Sequence, residues 1–221
     1  MVIESEQVRD YWKRSAVPFD ALYSERAMNP VVRHVNRILR FGVYQRYMLL
    51  MEYLRDNQIR TLLDVGCGSG RYAMGAADAG VREYVGVDFS DEMIALARSA
   101  TRDVASRMDR CEFRIADFMT LEGDQTYEVV SAMGVFDYIA DATPALAKLA
   151  LLATHSVLAT FPGYSPYRAP LRWIRLRLRG CPVYFYSQRR IRLLSEVVGF
   201  RRYEVVKMKG LGSENFVIFS K

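Results

Sequence analysis

Three aspartates stand at or next to the ends of three successive apolar runs: Asp64 in TLLDV, Asp88 in EYVGVD and Asp117 in CEFRIAD. Directly after the first run the chain reads Gly66-Cys67-Gly68-Ser69-Gly70. Glycines there permit a tight turn and let a ligand approach backbone N–H groups at a helix N-terminus. A carboxylate 24 positions after Asp64, at the end of the second run, can accept hydrogen bonds from both hydroxyls of a ribose. At the third, Asp117 can accept from an exocyclic amine while Phe118 covers an adenine face. The set suits a nucleoside. The glycine spacing is GxGxG, which differs from the GxGxxG of a dinucleotide site and disfavours a nicotinamide-dependent oxidoreductase.

The elements that must position these groups follow from periodicity. Runs at 61–65, 83–88, 111–117, 127–133 and 155–161 read as strands, and helical segments near 70–79, 91–105 and 142–151 separate them. This alternation predicts βαβ units and a doubly wound, mostly parallel sheet, in which ligands bind beyond the carboxyl ends of the strands. Ser90 is placed to cap the second helix, and Thr143-Pro144 to open the third. A helix near 188–198 ends at Gly199, and RRYEVVKM and ENFVIFS, joined by KGLGS, read as an antiparallel hairpin closing one sheet edge. Upstream, Asn29-Pro30 opens a helical stretch that Gly42 is expected to split. The division expected is a helical N-terminal lid over 1–60 and a single α/β domain over 61–221, with an insert at about 162–187.

The stretches LLDVGCGSGRYA, VGVDFSDEMIALAR, FRIADFM and YEVVSAMGVFDYIAD, in this order, resemble the motif series of class I S-adenosylmethionine-dependent methyltransferases. The resemblance covers 61 to about 161, and VVGF-RRYEVV is similar to that family's last helix and strand. It implies a Rossmann-like, seven-stranded α/β sheet with an antiparallel last strand. It also implies S-adenosylmethionine as cofactor and S-adenosylhomocysteine as product. Asp64, Gly66, Cys67, Gly68 and Gly70 would surround the methionine moiety, Asp88 hold the ribose, and Asp117 with Phe118 hold the adenine. Phe89 and Met93 would wall the adenosine, and Met133 and Gly134 line the channel to the methyl group. The N-terminal lid and the insert after the fifth strand are also similar to magnesium-protoporphyrin methyltransferases.

Methyl transfer from a sulfonium needs alignment and exclusion of water more than it needs an acid or base. A hydroxyl acceptor gains from a base, whereas a carboxylate needs no proton removed. No catalytic residue is assigned; Tyr138, Asp137 and His34 are the candidates. His155 opens the fifth strand, away from the site. Arg46 reads either as a partner for the cofactor's carboxylate or as a solvated helix charge, and Tyr11 and Trp12 as cover for the cofactor or as anchors of the terminus.

Charge separates the chain into two parts. Residues 1–163 carry 18 Lys and Arg against 22 Asp and Glu, net −4, whereas 164–221 carry 13 against 3, net +10. Arginines 168, 172, 175, 177, 179, 189, 190 and 192 fall in an acid-free stretch. As a helix, YRAPLRWIRLRLRG puts Leu171, Ile174 and Leu178 on one face and Arg168, Arg172, Arg175 and Arg179 on another, although RLRLR also alternates as a strand. Three readings of this insert stay open: a lid over an anionic or amphiphilic acceptor, peripheral contact with an acidic membrane, or a solvated basic face. Arg168, Arg172, Tyr138, Tyr184 and Tyr186 are its candidate acceptor contacts.

The function expected is methyl transfer to a small or lipid-like, anionic acceptor, with oxygen ahead of nitrogen. The alternatives are an RNA methyltransferase using the basic segment and a non-catalytic nucleoside-binding protein on the same fold. Met133-Gly134-Val135-Phe136 stands where amino-directed methyltransferases of nucleobases carry an Asn-Pro-Pro-Tyr-like motif, which weighs against nucleic acid. Cys67, Cys111 and Cys181 are widely spaced and form no CxxC, so no disulfide framework or metal site is indicated. With no apolar run of spanning length and no leader-like segment, a cytoplasmic or membrane-peripheral protein is expected.

Overall fold

The computed structural model describes residue 8 and residues 30–122, 125–166, 168–208 and 214–221, with the backbone alone for 30–41 and 168. Strands β1 (Thr61–Val65), β2 (Glu83–Asp88), β3 (Arg110–Ile115), β4 (Tyr127–Ala132) and β5 (Ala153–Pro162) pair in parallel. They continue into β6 (Arg202–Lys207) and β7 (Glu214–Ser220), and β7 runs antiparallel to both β5 and β6. The sheet order β3-β2-β1-β4-β5-β7-β6 reverses direction between β1 and β4, which opens the ligand crevice at their carboxyl ends.

Neighbouring strand residues belong to opposite faces. Leu62, Tyr84, Val129, Leu158 and Phe216 pack under α1 (Pro30–Asp56), α2 (Arg71–Ala79) and α3 (Asp91–Ala100). Leu63, Val85, Val130, Val157 and Phe219 pack under α5 (Ala142–Leu152) and α7 (Gln188–Val198). With both faces covered, these strands read in the sequence as continuous apolar runs. Within α1, Leu50, Met51 and Leu54 are buried in the first of these cores.

Local chemistry accounts for several departures from expectation. Helix α1 is unbroken at Gly42, since a single glycine costs only about 1 kcal/mol and the helix is held by its apolar face. The expected helix over 91–105 divides into α3 and the short α4 (Arg102–Ala105) at Thr101, whose backbone leaves the helical region with φ of −110° and ψ of 11° while its hydroxyl donates to the Ala97 carbonyl. Ser90 caps α3 as expected, accepting from the Met93 N–H, but α5 is capped by Asp141, which accepts from the Thr143 N–H. The third strand stops at Ile115, so Asp117 lies beyond it and caps a short turn over 118–120.

In the insert, α6 (Arg168–Arg177) settles the helix-or-strand ambiguity of RLRLR in favour of the helix, and its last turn extends to Leu178. Tyr11 and Trp12 and the expected turn KGLGS lie outside the described residues, as do the side chains of His34 and Arg168.

Candidate active site

The loop after β1 is shaped by left-handed backbone at Gly66, Gly68 and Gly70. The N–H groups of Gly66 and Cys67 both donate to the Val87 carbonyl, which draws the loop across the end of β2. At Gly66 the glycine is also a packing requirement: a Cβ would stand 2.7 Å from Val135 Cγ2. At Gly68, with φ of +52°, the position a Cβ would take is open among the described residues, with only Met93 Sδ at 3.9 Å. The backbone at Gly68 therefore presents a cradle, with Met93 as its wall.

Asp88 forms the rim. Its Oδ2 accepts from the Gly68 N–H at 3.0 Å and its Oδ1 from the Ser90 N–H at 2.9 Å. Burial pushes its pKa above the ordinary carboxylate value, while the N–H groups of Ser90, Gly68 and Phe89 hold it back. Each oxygen keeps a further lone pair for a ligand hydroxyl.

Asp64 lies deeper. It is fully buried, accepting from the Tyr84 hydroxyl at 2.6 Å and the Ser131 hydroxyl at 2.7 Å. Burial raises its pKa to about 6 against the pull of those two hydroxyls. Cys67 is buried alongside, and desolvation together with Asp64 and Asp88 keeps its thiol neutral. These groups brace the loop from within the sheet.

Beyond β4, Met133 shares the buried cluster of Cys67, and the Gly134 N–H donates to Thr160 Oγ1 at 2.8 Å. Phe89, Tyr138 and Phe185 pack against one buried cluster made of Val8 with Leu176, Cys181 and Val183 of the insert, so residues flanking the crevice and the insert share an apolar cluster. Asp117 is partly exposed and accepts from the Met119 N–H at 3.0 Å, and Phe118 packs against the core on the α5 side.

A four-residue charged network joins α1, β7, α6 and the short turn Phe136–Tyr138 after β4. Arg46 of α1 pairs with Glu214 of β7 at 2.7 Å; Arg172 of α6 pairs with Asp137 and lies 3.8 Å from Glu214. The Arg46 side chain is 12% exposed, which excludes the solvated-charge reading. Burial works against its charge, but Glu214 and Asp137 outweigh that and raise its pKa. Arg46 Nη1 stands 2.7 Å from where a Cβ of Gly134 would be, so glycine is the residue that admits the guanidinium.

Burial raises the Asp137 pKa, opposed by Arg172 and Arg46, and its Oδ1 is buried with no hydrogen-bond donor among the described residues. Sequence reasoning missed Glu214. Its one signal is an acid at the start of a strand in an otherwise basic segment.

Two candidate acceptor contacts take other places. Tyr186 is a core residue: its ring packs edge-on to Phe161, its hydroxyl donates to the Ile139 carbonyl, and Arg190 covers its face. Arg172 spends its charge on Asp137 and Glu214. Tyr184 lies beside the site, its N–H donating to the Asp137 carbonyl at 2.9 Å.

Residues 62–154, which contain this loop, the rim and the end of β4, match the family model of the methyltransferase domain. By this match residues 62–154, less than half of the chain, form a methyltransferase domain. A 97-residue stretch is 32% identical to a Pseudomonas putida protein described as a "probable fatty acid methyltransferase", covering 44% of this chain and 24% of that protein. The chain thus matches about a quarter of the length of that curated relative.

The fold of the methyltransferase domain and its flanking elements is similar to that of magnesium protoporphyrin IX methyltransferase from Synechocystis PCC 6803 crystallised with S-adenosylhomocysteine. The TM-score is 0.78 at 21% identity, over 99% of each chain. The same cyanobacterial protein with S-adenosylmethionine gives 0.75 at 20% identity, over 99% of this chain and 97% of that one. At these identities the likeness concerns fold.

Proposed function

We propose that the methyltransferase domain holds S-adenosylmethionine at the carboxyl ends of β1 to β4 and methylates an oxygen of a small or lipid-like, anionic acceptor beneath the insert. The observation that carries this reading is the apolar cluster of Val8, Leu176, Cys181 and Val183, against which Phe89, Tyr138 and Phe185 all pack. The insert thereby roofs the crevice with apolar side chains, while Arg172 reaches in from it toward Asp137. The acceptors named for the relatives, a fatty acid and magnesium protoporphyrin IX, supply the class that the reading carries over.

The bound cofactor supplies a methyl group already activated on a sulfonium sulfur. The open cradle at Gly68 fits a ligand pressed against the backbone, and the partly exposed Asp88 carboxylate fits the ribose hydroxyls. In this reading Gly66, Gly68 and Gly70 hold the methionine portion, with Asp64 and Cys67 bracing them from behind. Asp117 and Phe118 hold the adenine, Phe89 and Met93 wall the adenosine, and Met133 and Gly134 line the methyl channel. Tyr138 contacts the acceptor and helps to exclude water. A carboxylate acceptor needs no proton removed; for a hydroxyl, the unpaired Oδ1 of Asp137 is the buried group ready to take the proton.

Calorimetric titration with S-adenosylmethionine, S-adenosylhomocysteine and NADH tests the cofactor; binding of the two sulfur ligands alone is expected. Labelled methyl donor incubated with a lipid extract tests the acceptor. Label released as a volatile product by mild alkali identifies a methyl ester. Label that stays alkali-stable on an amine would refute the oxygen assignment.

A further inference from the structure

The turned-in side of α6 is Ala169, Arg172 and Leu176, and Leu176 packs with Val8, Cys181 and Val183. That choice leaves the helix's more apolar face pointing out. Leu171 is 70% exposed, Ile174 49% and Leu178 83%, with Trp173 beside them at 46%. On a helical projection Leu171, Ile174 and Leu178 form one stripe, flanked by Arg175 on one side and Arg177 on the other. The Arg177 guanidinium lies 5.0 Å over the Trp173 ring. Arg175 and Arg179 are exposed and make no ion pair among the described residues.

We propose that this face of α6 is a docking surface for an anionic lipid bilayer, with Leu171, Ile174 and Leu178 entering the acyl boundary and Arg175, Arg177 and Arg179 lying among acidic headgroups. Charge complementarity selects the occupant. Residues 164–195 hold eight arginines and no acid, so a second copy docking through this face would set arginines against arginines. A single-stranded nucleic acid would leave the three aliphatic side chains in water and find one exposed aromatic in α6, already covered by Arg177. An interfacial helix needs an apolar stripe with cationic flanks, and α6 presents both outward. No helix among the described residues is long and apolar enough to cross a membrane, and the contact proposed lies along α6 in the plane of the interface. The proposal uses no residue of the cofactor loop and stands whichever acceptor is methylated.

The test uses the full chain with Trp12→Phe, which leaves Trp173 as the sole tryptophan. Co-sedimentation with vesicles of phosphatidylcholine containing about 30% phosphatidylglycerol is compared with pure phosphatidylcholine, at low and high salt and in parallel with the unaltered chain. Expected are salt-sensitive binding to the anionic vesicles, weak binding to the neutral ones, and a blue shift of Trp173 emission on binding. Leu171→Ser with Leu178→Ser should lower partitioning at least tenfold. Arg175→Gln and Arg179→Gln should each lower it roughly fivefold on anionic vesicles alone. All four residues are exposed, and unchanged melting curves confirm folding.

Absence of vesicle binding would overturn the proposal. So would equal binding to both vesicle types with the arginine variants silent, or arginine-dependent binding of poly(U) in place of vesicles. Trp173 emission already blue-shifted without vesicles would also overturn it. Independence from protein concentration would then assign the face to this chain's own residues, and dependence to a second copy.

Discussion

The Asp88 carboxylate accepts the Gly68 N–H at 3.0 Å, so the end of β2 and the glycine loop after β1 are fixed to each other by a charged acceptor. The same carboxylate takes the Ser90 N–H and so positions the start of α3. Hydrogen bonds to a charged group contribute about 1.5–3 kcal/mol each. Asp88→Ala removes the groups offered to the ribose and loosens the loop, and should weaken S-adenosylmethionine binding on the order of 100-fold by calorimetric titration. Asp88→Asn keeps an acceptor and should fall between the two. Unchanged affinity in Asp88→Ala would remove Asp88 from the cofactor site.

Gly66 and Gly68 should respond differently to alanine. Both have positive φ, a strain of about 1–2 kcal/mol for a residue with a Cβ. At Gly66 the new methyl also meets Val135 Cγ2, an overlap costing a further 1–3 kcal/mol or so, and the main loss should appear in the melting temperature. At Gly68 the methyl enters the open cradle, and the main loss should appear in cofactor affinity at a nearly preserved melting temperature. Paired thermal melts and titrations separate the two; a Gly68→Ala variant that binds normally would show that no ligand fills that space.

What the sequence disclosed follows from the range of each interaction. β1 and β2 were legible to the residue because both faces of each are buried and the runs end in punctuation, glycine after Val65 and Ser90 soon after Asp88. Gly42 misled because its helical penalty is local, whereas the apolar face of α1 that outweighs it is buried by the sheet. The side of α6 that turns inward was not legible: hydrophobicity favours Leu171 and Ile174, but Arg172 is drawn in by Asp137 and Glu214 and brings Ala169 and Leu176 with it. Arg46 and Glu214 are 168 positions apart, and no periodicity joins them. The glycine loop and Asp88 were legible because their chemistry is encoded within a few residues of each strand end.

The Arg46–Glu214 pair ties α1 to the last strand, and its removal should be felt in stability before activity. Taking away one partner of a buried pair leaves the other uncompensated, a loss of roughly 3 kcal/mol. Arg46→Met should therefore lower the melting temperature by about 10 °C. Glu214→Gln should be milder, since Arg46 retains Asp137 as a charge neighbour. The double variant should lose less than the two singles combined, by about 1–3 kcal/mol in a double-mutant cycle read by denaturant unfolding. Strict additivity would mean that the pair contributes nothing through its contact.

Asp64 makes stability depend on pH in the direction opposite to an ordinary ion-paired carboxylate. Its folded pKa of about 6 stands above the ordinary carboxylate value near 4, because burial outweighs the hydrogen bonds from Tyr84 and Ser131. Between those two values the folded chain holds a proton that the unfolded chain has released. The group's contribution is thus fully present below about pH 4 and is lost as pH rises through about 6, a change on the order of 3 kcal/mol. Asp64→Asn keeps a neutral, hydrogen-bonding side chain and removes the titration. The stability of Asp64→Asn relative to the unaltered chain should therefore rise by about that amount between pH 4 and pH 8 in urea unfolding, while the many other titrating groups cancel in the difference. A difference that stays flat would show that Asp64 ionises inside the sheet as readily as in water, with the two hydroxyls fully offsetting its burial.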